Sequence, residues 1–276
     1  SGATATTLSS LAMSGGALNL NGTAATTLTT FAMNNGTLST AAPLTASSLN
    51  INGGTLAGAG GYTITGATTF TPCTNCGIYF YLDGTTLNTQ GATSQTVNGT
   101  SVIYTYLSNG AAINNTGTWT LDNLYVYQNA GTLGSFTNTG TTGVVNVQGA
   151  GSTINTLFNN SSTAANSVNV TAGTLTLGGG GNSSGAFNVA TGAGLTFTNS
   201  ICCGTATHNL TGATGITGAG DITFTNYWTN TVNISGTVAA NSITNSGATT
   251  TLNGTTTVPT ITVIGGTLNV NSGATA

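Results

Sequence analysis

Positive charge is missing from this sequence. Its 276 residues include no Lys or Arg, one His and three acidic side chains, the aspartates Asp83, Asp122 and Asp221. Charged residues make up 1 % of the chain, against roughly 25 % in an ordinary soluble domain. Salt bridges therefore cannot hold the fold, and isopeptide links through lysine cannot form. Cation-based binding of nucleic acid or phosphate is excluded as well, because that affinity comes from Lys and Arg neutralising phosphates. Trypsin has no site to cut. No apolar run approaches the roughly 18 residues of a membrane span. No signal-peptide pattern opens the chain, which starts at Ser1 without Met and reads as a mature chain or a segment of a longer one. With so few ionisable groups, folding is expected to depend little on pH or salt. Cohesion has to come from backbone ladders, from ladders of like side chains such as Thr and Asn, and from a thin apolar interior.

What is present is a repeat. ATTLSSLAMSGGAL, from Ala5 to Leu18, returns as ATTLTTFAMNNGTL from Ala25 to Leu38. The shift matches Leu8 with Leu28, Leu11 with Phe31, Met13 with Met33, Gly16 with Gly36 and Leu18 with Leu38. A third copy puts Leu49, Ile51, Gly54 and Leu56 in the places of Phe31, Met33, Gly36 and Leu38. A period of ~20–30 residues signals a solenoid, in which each repeat buries its face on its neighbours. Within each copy the apolar residues alternate, which is the period of a strand. Corners fall on Gly, Asn and Ser, the residues that tolerate left-handed backbone.

Residues 71–130 are less regular and rich in aromatics and hold Cys73-x-x-Cys76. In Ile78-Tyr-Phe-Tyr-Leu82, alternation turns Ile78, Phe80 and Leu82 inward and Tyr79 and Tyr81 outward. Tyr125 and Tyr127 follow the same logic in Leu124-Tyr-Val-Tyr127. These four tyrosines are a candidate exposed binding face, but the favoured reading is stacked aromatic ladders that stabilise a solenoid wall.

From Trp119 onward, inward pairs return in rhythm, among them Val168-Asn-Val170, Leu175-Thr-Leu177, Phe187-Asn-Val189, Leu195-Thr-Phe197 and Ile222-Thr-Phe224. The run Asn169-Val-x-x-Gly-Thr-Leu-Thr-Leu-Gly-Gly-Gly-Gly, then Ser184-Gly-Ala-Phe-Asn-Val-Ala-Thr-Gly-Ala-Gly-Leu-Thr-Phe197, resembles the β-helical repeats of very large secreted bacterial exoproteins. Filamentous-haemagglutinin and autotransporter passenger domains are in that company. The resemblance covers most of residues 110–276 and implies a right-handed β-helix with an extracellular or cell-surface role. It brings no catalytic motif, so it speaks for fold more than function. The expected architecture is all-β: a single right-handed parallel β-helix (β-solenoid) of about 13 coils of roughly 20 residues, continuous over 1–276.

The four cysteines form two local pairs, Cys73 with Cys76 and Cys202 with Cys203. On a regular solenoid the pairs lie about six coils, or ~30 Å, apart, whereas a disulfide needs Cα atoms within ~7 Å. Local bridges, or bridges between neighbouring subunits, remain open. An even count in an extracellular chain favours disulfides over a metal site. His208 follows Cys202-Cys203 and could complete a soft-metal site; it reads more simply as a corner or wall residue. The aspartates sit in separate coils, with Asp83-Gly84 and Asp122-Asn123 as turns and Asp221 as a corner. Glycosidases need two carboxylates flanking one bond, and His208 with Asp221 lacks a nucleophile-elbow motif. The chain is read as no enzyme, with no cofactor or metal. Asn-x-Ser/Thr sequons, including Asn21, Asn98, Asn169, Asn209 and Asn233, leave glycosylation open.

Ser272-Gly-Ala-Thr-Ala276 repeats Ser1-Gly-Ala-Thr-Ala5 letter for letter, and neither end carries an obvious polar cap. Leu8, Leu11 and Met13 are therefore expected to meet Val263, Leu268 and Val270 of a second copy by end-to-end stacking. The leading expectation is a structural subunit, or one repeat period, of an extracellular filament, sheath or matrix fibre whose partner is itself, head to tail and in lateral bundles. The alternative is the stalk segment of a surface adhesin. A third reading is an ice- or glycan-binding β-solenoid. Thr174-Leu-Thr176 and Thr260-Ile-Thr262 fit the Thr-x-Thr rows of an ice-ordering face, but by sequence the threonines do not recur on one face coil after coil.

Overall fold

Alternation becomes strand along the whole chain. A computed structural model describes residues 5–95, 100–201, 204–271 and 274–275. Among them are 31 strands, every described pairing parallel, and no helix. The chain winds as a parallel β-solenoid of about 12 turns, against the expected 13 or so. The difference arises because coil length is uneven: Leu44 pairs with Tyr62, but Tyr62 pairs with Leu87 and Phe187 with Ile216. It divides into two compact units, Ser1–Phe136 and Thr137–Ala276.

In the first unit each turn lays one segment on each of three ladders. Thr6–Leu20 and Thr26–Thr40 run through all three as single long strands, paired Leu8 to Leu28, Met13 to Met33 and Leu18 to Leu38. The repeat seen in the sequence is thus the physical pairing of adjacent coils. Its corner glycines Gly16, Gly36 and Gly54 hold φ of 70°, 87° and 101°, a region closed to most side chains. The interior is made of like stacked on like. Leu38, Leu56, Leu82 and Leu107 form one column through successive coils, all fully buried. Phe70 packs edge-on against Phe80 at 6.0 Å, and Trp119 lies 5.0 Å from Phe136. Asn ladders bind coils from outside: Asn52 donates to Asn34 at 2.7 Å and Asn114 to Asn88 at 3.0 Å.

The second unit repeats the plan. Val145, Val168, Phe187, Ile216 and Val238 form one buried column; Ile154, Leu177, Phe197 and Phe224 form another. Asn209 donates to Asn182 at 3.0 Å and Asn233 to Asn209 at 2.9 Å, continuing one outer ladder through three coils. His208 departs from the sequence reading. It is neither corner nor outer wall but points inward, 3 % exposed, paired with Gly181 in the coil before and Val232 in the coil after. Its Nε2 lies 3.0 Å from the Thr198 carbonyl oxygen, to which it can only donate, so Nε2 carries a proton, and burial favours the neutral ring.

Some corners have no room for a side chain because coil meets coil backbone to backbone. A Cβ on Gly236 would land inside the van der Waals radius of the Gly212 carbonyl oxygen, and one on Gly254 would strike Gly236. These glycines are demanded by close approach. Gly236→Ala is expected to destabilise the protein by roughly 1–3 kcal/mol, the usual cost of overpacking a rigid site. Chemical denaturation followed by circular dichroism measures it, and an unchanged midpoint would refute the packing argument.

Candidate functional site

Alternation along Gly77–Asp83, Val102–Ser108 and Leu124–Ala130 puts their tyrosines on one outer face of the first unit. Register pairing then stacks Tyr79, Tyr104 and Tyr125 in one column and Tyr81, Tyr106 and Tyr127 in the next. Ring centroids are 5.3 Å apart for Tyr79 and Tyr104, 5.1 Å for Tyr81 and Tyr106, and 5.6 Å for Tyr104 and Tyr125. The sequence reading picked the outer rows, Tyr79, Tyr81, Tyr125 and Tyr127, and missed the middle row, Tyr104 and Tyr106. Val102-Ile-Tyr-Thr-Tyr-Leu107 carried the same alternation as signal.

The grid corrects the idea of an open aromatic face. Nearly parallel rings cover one another, so Tyr81, Tyr104, Tyr106, Tyr125 and Tyr127 are half-buried and show mainly edges. Tyr79 alone is well exposed, at 53 %, because Gly53 lies beside it in the preceding coil and offers no side chain to cover the ring. Burial, and then the neighbouring phenols of Tyr81, Tyr79 and Tyr104, push the Tyr106 phenol above its ordinary range. Tyr127 is raised likewise, by burial and then by Tyr125, Tyr104 and Tyr106. Tyr106 and Tyr127 therefore keep their protons further into alkaline solution than an ordinary phenol.

Beside this wall, Cys73 and Cys76 are joined to each other by a disulfide, Cα to Cα 5.5 Å, closing the loop that enters Gly77–Asp83. Ser101 Oγ donates to the Cys73 carbonyl at 2.9 Å, and the Thr100 amide donates to Asn75 Oδ1 at 3.0 Å, tying the loop to the next coil. The bridge is local, which removes this pair from any role between subunits. Cys202 and Cys203 lie outside the described residues, as does the sequon Asn98. Because the closed loop is short, Cys73→Ser with Cys76→Ser is expected to cost only about 2 kcal/mol. Calorimetry measures the loss, and a change of apparent mass for this variant without reductant would contradict a purely local bridge.

The residues expected to stack end to end belong to the first coil of one unit and the last coil of the other. Leu8 is 42 % exposed, whereas Leu28, the same position one coil on, is 1 % exposed. Met13 is buried and Leu11 and Leu268 are half-buried. Val263 is 54 % exposed and Val270 38 %, against buried partners Asn245 and Leu252. Ile261 and Ile264, also exposed, belong to the same uncovered strand and were missed by sequence reasoning. The repeated pentapeptide at the two ends falls almost wholly outside the described residues.

The second unit carries an outer ladder that the sequence reading denied. Thr153 pairs with Thr176, Thr176 with Thr196, Thr196 with Thr223, Thr223 with Thr244 and Thr244 with Thr262. Threonine does recur on one face, coil after coil. A further aromatic pair, Tyr227 and Trp228, stands out from the turn between Asp221–Thr225 and Thr229–Ile234.

Among the described residues, no three His, Cys, Asp or Glu side chains gather where they could hold an ion. A shallow cleft on the first unit is lined by Thr30, Ala32, Ser48, Asn50 and Thr69, none of them titratable. Asn169, Asn209 and Asn233, the amides of three sequons, already donate to neighbouring asparagines. No described helix is long and apolar enough to cross a membrane. No protein-family model, curated protein or solved structure matches the chain.

Proposed function

We propose that this chain is a structural building block of an extracellular or cell-surface fibre, assembled by laying the first coil of one copy on the last coil of another. The observation that carries this reading is the uncovered row of inward apolar residues on the terminal strands, Leu8 on one and Val263 and Val270 on the other. Among the described residues each strand has a parallel partner on one side only, Thr6–Leu20 with Thr26–Thr40 and Thr260–Val270 with Ser242–Leu252. Unpaired strand edges are templates for a further strand. A second copy supplies both missing items, a parallel backbone ladder and a lid for the apolar row. Two different surfaces meet in such a contact, so it is heterologous and does not close on itself, which gives a filament. With no Lys or Arg and three Asp, little long-range repulsion opposes association. The resemblance of the repeats to secreted exoproteins supports a place outside the cell.

Negative-stain electron microscopy and sedimentation of the native protein test this. Continuous filaments are expected, and Leu8→Lys with Val263→Lys, which buries a charge at each joint, is expected to leave monomers. A wild-type protein that stays monomeric at high concentration would overturn self-assembly. In that event the coil laid on these strands would have to come from the same polypeptide, as in a stalk.

A further inference from the structure

We propose that the threonine ladder of the second unit is an ice-binding face. Its six members, Thr153, Thr176, Thr196, Thr223, Thr244 and Thr262, come one from each of six successive coils. Each projects outward between two inward neighbours that lock the strand, such as Leu195 and Phe197 around Thr196, or Ile222 and Phe224 around Thr223. The pairing runs without a register shift through the whole ladder; the shifts on two of these strands come after Phe224 and after Asn245, beyond the threonines.

Two properties set this ladder apart from the asparagine column of the unit, and its six members make it longer than the second outer threonine column, Thr207, Thr231, Thr249 and Thr267. The asparagine column Asn182, Asn209 and Asn233 spends its amides on itself, each residue donating to the one before. By contrast, no protein group bonds the six threonine hydroxyls, which leaves every one of them to water. Their positions are nevertheless fixed, because a β-branched side chain is stiff at χ1 and the backbone beneath it belongs to a continuous parallel ladder.

The geometry points to a water lattice as the partner. Parallel strands set the hydroxyls ~4.8 Å apart, close to the repeat of oxygens along one axis of ice. Alternating methyl and hydroxyl groups at that repeat can hold a sheet of water in lattice register at little further cost in order. Charge would spoil such a face, since strongly hydrated ions organise water around themselves. The flanking outer column, Thr174, Gly194, Asp221, Ser242 and Thr260, includes one acid. That carboxylate is already engaged by Asn241 at 2.8 Å and Ser242 at 2.7 Å. Thr174 and Thr260 extend the row sideways at both ends of the column, leaving the complete row as the principal contact.

Thermal hysteresis and inhibition of ice recrystallisation, measured on the full chain, test the proposal. Both activities are expected in the wild type, and Thr196→Lys with Thr223→Lys is expected to reduce them at least tenfold. Thr196→Val with Thr223→Val keeps the shape and removes only hydroxyls; it is expected to retain the fold by circular dichroism and to lose most of the activity. Thr207→Lys with Thr231→Lys, on the shorter four-coil threonine column of the same unit, is expected to change nothing, which separates the six-coil ladder from threonine content alone. Absence of both activities in the wild type would overturn the assignment, as would full activity in the lysine variant. Repeating the measurement on the edge-blocked Leu8→Lys, Val263→Lys protein separates this proposal from filament formation, because a monomer retains the ladder.

Discussion

Phe197→Ala is expected to destabilise the protein by roughly 3–5 kcal/mol. Phe197 is fully buried and lies 5.8 Å from Phe224, 6.4 Å from Phe187 and 5.2 Å from the ring of His208. Removing the ring takes away burial and these aromatic contacts together, and it leaves a cavity. In most cores neighbours relax into such a space, but a solenoid restrains that movement. Leu177 and Phe224, the ladder partners of Phe197, are held by the hydrogen-bonded strands of adjacent coils. The loss should therefore fall toward the upper end of the range. Because each coil contacts only its neighbours, amide protection is expected to drop first in Thr174–Leu177, Gly194–Phe197 and Asp221–Thr225. Chemical denaturation with hydrogen exchange reads both quantities. A cost under about 1 kcal/mol, or protection unchanged in those strands, would show that the column is not a continuous packed core.

Acidification is expected to destabilise the fold by about 3 kcal/mol between pH 6.5 and 4, through one side chain. Burial holds the His208 imidazole down to about 4, a pull that its hydrogen bond to the Thr198 carbonyl only partly offsets. A base whose folded pKa lies below its unfolded value destabilises on protonation. Above about pH 6.5 both states are neutral and nothing is lost. Between there and pH 4 the unfolded chain binds a proton that the folded chain refuses, and stability falls as pH falls. Below about 4 the folded ring is charged too, and the loss is complete. Asp221 adds a further decline in acid, since hydrogen bonds from Ser242 and Asn241 hold its carboxyl below the usual range. Its contribution is full above its unfolded pKa and lost as pH falls through the carboxylate range, so the two windows are separable. His208→Leu is expected to flatten the upper window and leave the lower one. The measurement is the denaturation midpoint from pH 8 to 3; a flat wild-type profile down to pH 4 would disprove the burial of His208. Against the expectation from composition, that folding hardly responds to pH, His208 and, in stronger acid, Asp221 are expected to make it respond.

Much of the fold was legible without coordinates. Leu8 with Leu28, Met13 with Met33 and Leu18 with Leu38 are matches in the repeat and also paired residues in the ladder. The period-two alternation correctly sent Ile78, Phe80 and Leu82 inward. What it could not reveal was which residues of distant coils lie side by side. The coils that carry Thr153, Thr176, Thr196, Thr223, Thr244 and Thr262 differ in length, so spacing in sequence does not disclose one column. The same unevenness hid Tyr104 and Tyr106 between the outer rows of tyrosine. The Cys73 to Cys76 bridge was one of several open pairings until the loop geometry closed it.

The class of fold was written in the chain: with no cation and only three acids, its alternation and period leave stacked parallel strands as the way to bury its apolar residues. The reason is local, because side-chain direction in a strand follows from position parity. The ladders emerged only once the coils were stacked: the tyrosine grid, the threonine column and the inward place of His208. Those depend on register between coils, which corner lengths set one turn at a time and which no local pattern records.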